Sequence, residues 1–232
     1  MDNSTSSPIA PQNLVKSKKR VADHGEVFTP AWLVEQILDL VTYESERIDS
    51  RFLEPACGSG NFLTAVLARK LATVDARYGA NAFEQRHHAL LALMSVYGIE
   101  ILDDNSIECR EILHSIFIDF LKVRDDDPII GAAKLVLSLN IVNGDAMTML
   151  NAAGQAIIFP EWAYTGKGRF QRRDFRFETL TQISMYGEGT IFESVDPQDL
   201  FTAEKEFPIL TVEDLAAMNG LERDCGIGDQ PE

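Results

Sequence analysis

Between Phe52 and Phe62 the chain reads Phe-Leu-Glu-Pro-Ala-Cys-Gly-Ser-Gly-Asn-Phe, and this order narrows the choice of fold more than any other stretch. Phe52 and Leu53 suit a buried strand end. Gly58-Ser59-Gly60 lets the backbone turn tightly and approach a ligand with no Cβ in the way. Phe62, Val66, Leu67 and Leu71 then recur at helical spacing. A strand, a glycine turn and a helix meet here, with Glu54 at the strand tip. Such a turn is common to many nucleotide and cofactor clefts. The acid, and the lack of a Lys-Ser/Thr pair after the glycines, argue against a phosphate-gripping loop.

Leu53-Glu54-Pro55-Ala56-Cys57-Gly58-Ser59-Gly60-Asn61-Phe62 resembles the cofactor motif of the DNA adenine-N6 methyltransferases. In that family the strand-end acid and glycine turn hold the methionine part of S-adenosylmethionine. Three further segments agree with the family in type, order and spacing. Gly25-Glu-Val-Phe-Thr29-Pro30 resembles the segment covering the cofactor methionine, which would bring Thr29 and Pro30 to the ligand. Gly98-Ile-Glu100-Ile101 is a short apolar strand ending in an acid, and an acid there can accept hydrogen bonds from ribose hydroxyls. By the resemblance Glu100 would bind the ribose and Ile101 would pack on adenine. Leu139-Asn-Ile-Val-Asn-Gly144-Asp145 ends in the residue that would accept the adenine amino hydrogens, with Ala146 and Met147 beside the ring.

The implied fold is α/β, a doubly wound Rossmann-like sheet of the class I S-adenosylmethionine-dependent methyltransferases, truncated at its C-terminal half. Strands are expected near residues 51–54, 97–101, 139–143 and 156–159. Helices are expected from the glycine turn to about Ala72, from about Asn81 to Val96 and from about Asp104 to Val123. Thr29 as N-cap with Pro30 at the first helical position predicts another, with Trp32, Leu33, Ile37, Leu38 and Val41 as its apolar face. The resemblance spans roughly residues 17–160. Residues 1–16, Ser-, Pro-, Asn- and Gln-rich, read as a flexible leader. Residues 161–218 read as a basic then acidic extension with helices near Glu178–Ile183, after Val195–Leu200 and over Thr211–Met218. Residues 219–232 read as a flexible tail.

The chemistry of the family is not fully met. The exocyclic amine of adenine is a poor nucleophile, so an enzyme must accept both its hydrogens while aligning nitrogen, methyl and sulfur. The base must also leave the stack and rest on an aromatic platform. The family uses Asp/Asn/Ser-Pro-Pro-Tyr/Phe/Trp after the fourth strand, and no Pro-Pro pair occurs in the 232 residues. Where that strand should end stands Phe159-Pro160-Glu161-Trp162. Either Glu161 accepts the amino hydrogens and Trp162 stacks on the base, or Pro160 makes a turn and Trp162 packs.

A net charge of -15 is awkward for a DNA-binding protein, because nonspecific affinity comes mainly from cations that neutralise phosphates. The distribution softens this. Lys16, Lys18, Lys19 and Arg20 cluster near one end, where a solvated arm is the simpler expectation. Lys167, Arg169, Arg172, Arg173 and Arg176 form a second run interleaved with Phe170, Phe175 and Phe177. That composition suits a DNA-contacting hairpin and equally an edge strand with one buried face. From Phe177 onward thirteen acids stand against Lys205 and Arg223.

Cys57, Cys109 and Cys225 are scattered, which indicates neither a disulfide framework nor a zinc site. Cys57 reads as a small residue fitting a tight turn, and adjacent His87 and His88 as surface residues facing different sides of a helix. No metal is expected. No apolar run approaches the roughly 20 residues that span a bilayer, and the N-terminus lacks a signal-peptide core, so a cytoplasmic protein is expected. Two functions follow. The first is a DNA adenine-N6 methyltransferase resembling the modification subunit of restriction-modification systems, using S-adenosylmethionine and a partner subunit for target recognition or the missing catalytic motif. The alternative is a noncatalytic S-adenosylmethionine-binding subunit or sensor of a defence system.

Overall fold

Pairs of helices separate the first three strands, which are parallel, giving a mixed α/β fold compatible with a Rossmann-like arrangement. The computed structural model describes residues 16–24, 29–184 and 202–224. Helices α1 (Lys18–His24), α2 (Ala31–Leu40) and α3 (Thr42–Glu46) precede strand β1 (Phe52–Glu54). Helices α4 (Asn61–Tyr78) and α5 (Ala82–Met94) lead to β2 (Val96–Glu100). Helices α6 (Asp103–Leu121) and α7 (Pro128–Asn140) lead to β3 (Ile141–Asp145). These three strands are parallel and in the order β1-β2-β3, and β4 (Leu150–Asn151) closes the sheet antiparallel to β3.

The local signals explain most boundaries. On α4, Leu63, Val66, Leu67, Leu71 and Val74 are buried at helical spacing. Helix α5 starts where the Asn81 side chain accepts from the Phe83 and Glu84 amides, and α7 where Asp127 accepts from Ile129 with Pro128 in the first turn. Arg86 grips both oxygens of that capping carboxylate at 2.5 Å, tying α5 to α7 and holding the Asp127 carboxyl below its usual range. Helix α2 begins one residue later than expected. Pro30 is its N-cap, in extended conformation, and no side chain caps the helix. Residues 25–28, which precede Thr29, lie outside the described residues.

The expected fourth parallel strand is replaced by something else. Ile158 does begin a strand, but β5 (Ile158–Gly166) runs on past Pro160 and pairs antiparallel with β6 (Arg169–Arg176). With β7 (Lys205–Glu206) they form a separate three-stranded sheet, so the boundary expected at residue 160 falls inside a strand. Phe170, Phe175 and Phe177 are buried, and Phe170, Trp162 and Leu215 join the same core as Leu67 and Ile99. The interleaved phenylalanines are therefore packing residues. Helix α8 (Phe177–Ser184) follows β6 directly, and α9 (Val212–Asp224) packs on α7 so closely that a Cβ on Gly131 would lie 3.1 Å from that of Ala216. The Asp214 carboxylate and the Thr211 hydroxyl cap its first turn reciprocally. Helix α9 also reaches beyond Asn219, where a fraying tail was expected. The turn expected at Val195–Leu200 lies outside the described residues.

His87 and His88 are not surface residues. His87 is buried against Phe83 and Phe170, and His88 stacks on Tyr78 with ring centroids 3.7 Å apart. Each Nδ1 lies within 2.8 Å of the carbonyl one turn back, and since a carbonyl can only accept, Nδ1 carries the proton. The arm at the N-terminus is also engaged. Lys16 bonds Asn105 and Glu108, and Arg20 holds both oxygens of Asp104, which docks this segment on the first turns of α6. No helix among the described residues is long and apolar enough to cross a membrane.

Candidate cofactor cleft

Because β1, β2 and β3 are parallel, their carboxyl ends lie side by side, with Glu54 opposite Gly98 and Glu100 opposite Asn143. Ligand crevices of open α/β sheets form outside such ends where the strand order reverses; among the described strands the order β1-β2-β3-β4 has no such reversal, so only the alignment of the strand ends is shared. Glu54, Glu100 and Asp145, the three acids singled out from the sequence, are the last residues of three successive strands.

The glycine turn is built around them. Cys57 N–H donates to Ile99 O at 3.0 Å, and Gly60 N–H to Cys57 O at 2.8 Å. Gly58 and Gly60 have φ of 54° and 93°, the left-handed region that favours glycine. A Cβ on Gly60 would also lie 2.7 Å from the Cys109 sulfur. Gly60→Ala is therefore expected to lower stability by about 1–3 kcal/mol, read by thermal unfolding. Adding Cys109→Ala should relieve the contact but not the backbone strain, so recovery should be partial. Full recovery would mean that the conformation costs nothing.

Glu100 is the hub. Its Oε2 accepts from Gly58 N at 2.8 Å and its Oε1 from Leu102 N at 2.9 Å, so one buried carboxylate joins the turn after β1 to the turn after β2. Each oxygen keeps a second lone pair for a ligand hydroxyl. Asn143, which sequence reasoning passed over, donates to Glu100 O at 2.9 Å and Ile101 O at 3.1 Å and locks β3 to this corner. Its only signal was a polar side chain inside an apolar strand.

The remaining positions surround that corner. Ile101 is 61% exposed beside Glu100, and Met147 is 90% exposed beyond Asp145 and Ala146. Asp145 Oδ1 accepts from Met147 N at 2.8 Å. Burial pushes the Glu54 carboxyl up, while the Ala56 N–H opposes the shift. Asn61 Nδ2 donates to Thr29 O at 3.4 Å, which lays Thr29 and Pro30 against the first turn of α4. Pro55 and Ala56 are exposed on the outside of the turn, and Phe62 packs on the core. Cys57 is buried, and its thiol is pushed up by a hydrogen bond with Cys109 and by burial, so it is a packing residue rather than a nucleophile.

The catalytic candidates are elsewhere. Glu161 is held by Arg51, the residue before β1, at 2.9 Å and by Arg173, which sets it beside the amino end of β1 and away from the acids. Both arginines would have to be released before it could accept amino hydrogens. The Pro160 carbonyl accepts from the Tyr97 hydroxyl at 2.8 Å. Trp162 is 8% exposed and donates through Nε1 to Asn140 Oδ1 at 3.1 Å, so its ring offers no platform for a base. Trp162 packs, as the second alternative has it, but Pro160 makes no turn: it lies within β5, opposite Asp174.

The basic run is divided as well. Arg172 is buried on Asp174 with bonds of 2.7 and 2.9 Å and lies over the Phe207 ring, so it cannot face phosphate. Arg176 bonds Glu204 at 2.6 Å, while Lys167 and Arg169 are exposed at the tip of the hairpin. Alternation along β6 sends neighbouring cations to opposite faces.

Chemically, three carboxylates end neighbouring parallel strands and one of them, Glu100, is bonded to the glycine turn, while Lys16 and Arg20 are already spent on α6. Such a cleft repels phosphate and suits a ligand that presents hydroxyl and amine donors. Comparison with protein-family models, curated proteins and solved structures returned no match. Among the described residues no three His, Cys, Asp or Glu are placed to hold a metal ion.

Proposed function

We propose that this chain binds S-adenosylmethionine at the carboxyl ends of β1, β2 and β3 and is the cofactor-holding part of a DNA adenine-N6 methyltransferase that works with a partner. The observation that carries this is the placement of Glu54, Glu100 and Asp145 at three successive parallel strand ends around the Gly58–Gly60 turn. These residues match a ligand with a cationic methionine part, a ribose diol and an adenine amine. Glu54 would face the methionine part, Glu100 the ribose and Asp145 the amine, with Ile101 and Met147 beside the ring. The bound group would supply an electrophilic methyl.

A second reading, a noncatalytic S-adenosylmethionine-binding subunit or sensor, draws support from the engagement of Glu161 by two arginines and the burial of Trp162. It needs no base acceptor from this chain.

Calorimetric titration with S-adenosylmethionine, together with transfer of labelled methyl to unmethylated DNA, tests both. Binding is expected in either case. Label on adenine N6 by the chain alone would overturn the requirement for a partner. Transfer only after a partner is added would support the first reading, and binding with no transfer in any combination the second. Asp145→Ala is expected to weaken cofactor binding about tenfold or more through loss of the acceptor for a buried amine. Unchanged affinity would place the adenine elsewhere.

A further inference from the structure

The loop before β1 carries Arg47, Asp49 and Arg51 and is pinned from below. Lys70, wholly buried on α4, donates to the carbonyls of Arg47 at 2.7 Å, Ile48 at 3.3 Å and Ser50 at 2.5 Å. The backbone beneath Arg47 and Arg51 is thus fixed by a helix rather than left to a loop. Beside it lie two cavities, of about 510 and 520 Å³, that adjoin at Arg47 and Arg77 and are taken together as a trough. Arg51, Arg173, Tyr78 and Tyr164 line one half, and Tyr43 and Arg69 the other.

The cations are concentrated in one half. There Arg47, Arg51, Arg77 and Arg173 line the wall with the carboxylates Asp49 and Glu161, whereas Arg69 in the other half is held by Glu35 and Asp39. Arg51 and Arg173 share the single carboxylate of Glu161. Arg47 bonds Asp49 at 3.0 Å and lies 3.6 Å from Glu44. Arg77 makes no side-chain hydrogen bond or ion pair among the described residues. Fixed guanidinium forks with free donors are suited to phosphate oxygens. Tyr43, next to Arg47, is 76% exposed. A solvent-facing ring at the end of a cationic trough can be used by an unpaired base, whereas bases within a duplex keep their faces stacked on each other.

We infer that this trough binds single-stranded nucleic acid, with backbone phosphates on Arg47, Arg51 and Arg77 and a base stacked on Tyr43. It lies at the amino end of β1, opposite the cleft formed by Glu54, Glu100 and Asp145, and does not depend on what that cleft holds. The strand would exchange some protein carboxylates for phosphates as partners of the same arginines.

The test is fluorescence anisotropy of a labelled oligodeoxythymidylate of about 12 nucleotides, titrated with the full chain across a salt series. The parent should bind with affinity that falls as salt rises. Arg47→Gln with Arg77→Gln should weaken binding about tenfold and flatten the log-log salt slope by about 1.4, roughly 0.7 for each phosphate no longer neutralised. Arg77→Gln alone breaks no ion pair of the folded chain, so about half that flattening with an unchanged melting temperature separates binding from folding. Tyr43→Ala should weaken binding and leave the slope as it was. Arg124→Gln, outside the trough, should match the parent. The inference is overturned if the parent shows no salt-dependent binding, or if the double variant binds as the parent does. It is equally overturned if tripolyphosphate displaces the strand at equal phosphate concentration, or if duplex of the same length binds as tightly. Failure of S-adenosylmethionine to bind would leave every one of these outcomes unchanged.

Discussion

Replacing Glu100 by glutamine should cost about 2–3 kcal/mol of stability and abolish the S-adenosylmethionine binding proposed above, although the two side chains have nearly the same shape. The carboxylate is buried and accepts from two backbone amides, Gly58 N and Leu102 N, one on each side of the cleft. An amide side chain has one acceptor oxygen, so its NH2 group would face a backbone N–H with nothing to receive. Both turns that meet at this residue would then lose their shared anchor. Chemical denaturation measures the stability loss. A variant with parental stability and unchanged affinity would show that the two bonds are not what shapes the cleft. Glu100→Asp makes a useful companion, since it keeps both acceptors but shortens the reach, and should fall between parent and glutamine variant.

Lys70→Met should lower stability by about 1–3 kcal/mol above about pH 10.5, where the side chain is neutral in both states. Removal of the amino group affects its three acceptors unequally. Ile48 O still receives the Ser95 hydroxyl at 3.1 Å and Arg47 O still receives Ser50 N at 3.3 Å, so Ser50 O alone is orphaned. The pH dependence is the sharper test. Burial pushes the Lys70 ammonium down to about 7 from 10.5. Between these values the unfolded chain binds the proton more readily than the folded one. Stability therefore falls as pH is lowered through this window, by up to about 1.4 kcal/mol per pH unit, and levels off below it. In Lys70→Met that component of the slope should vanish. Parallel stability curves for the two proteins between pH about 7.5 and 10 would mean that the three carbonyls hold the ammonium as well as water does.

The strand, turn and helix from Phe52 to about Ala72 were legible because each depends on neighbours in sequence, although the helix runs on to Tyr78. Glycines with positive φ, an apolar stripe and a strand-end acid state their conformational needs within a few residues. Glu100 and Asp145 were legible for a related reason. Once three strands are parallel, their carboxyl ends must meet, so residues distant in sequence converge without any fine detail of packing. The boundaries at Leu139 and Asn140 were less legible. The Asn140 side chain bonds Met94 O, Val96 O and Trp162 Nε1, and those partners keep it at the end of α7.

The fate of Pro160, Glu161 and Trp162 could not be read from their own order. A short apolar run ending in proline looks alike as the fourth strand of a parallel sheet and as the start of an antiparallel hairpin, and only pairing with β6 decides between them. The same holds for the cations of β6. Their formal charges are equal, but the pleat turns Arg172 inward onto Asp174 and leaves Arg173 on the other face beside Glu161. Lys70 sits in a helical stripe where an apolar residue is expected, and nothing nearby in sequence announces the three carbonyls, some 20 residues earlier, that make a buried ammonium tolerable. Local order set the backbone conformations and the polarity of the strand ends, because steric and capping forces act over a few residues. Which charges are free and which are spent was set by the tertiary structure, because an ion pair or a buried hydrogen bond is a property of two positions that only folding brings together.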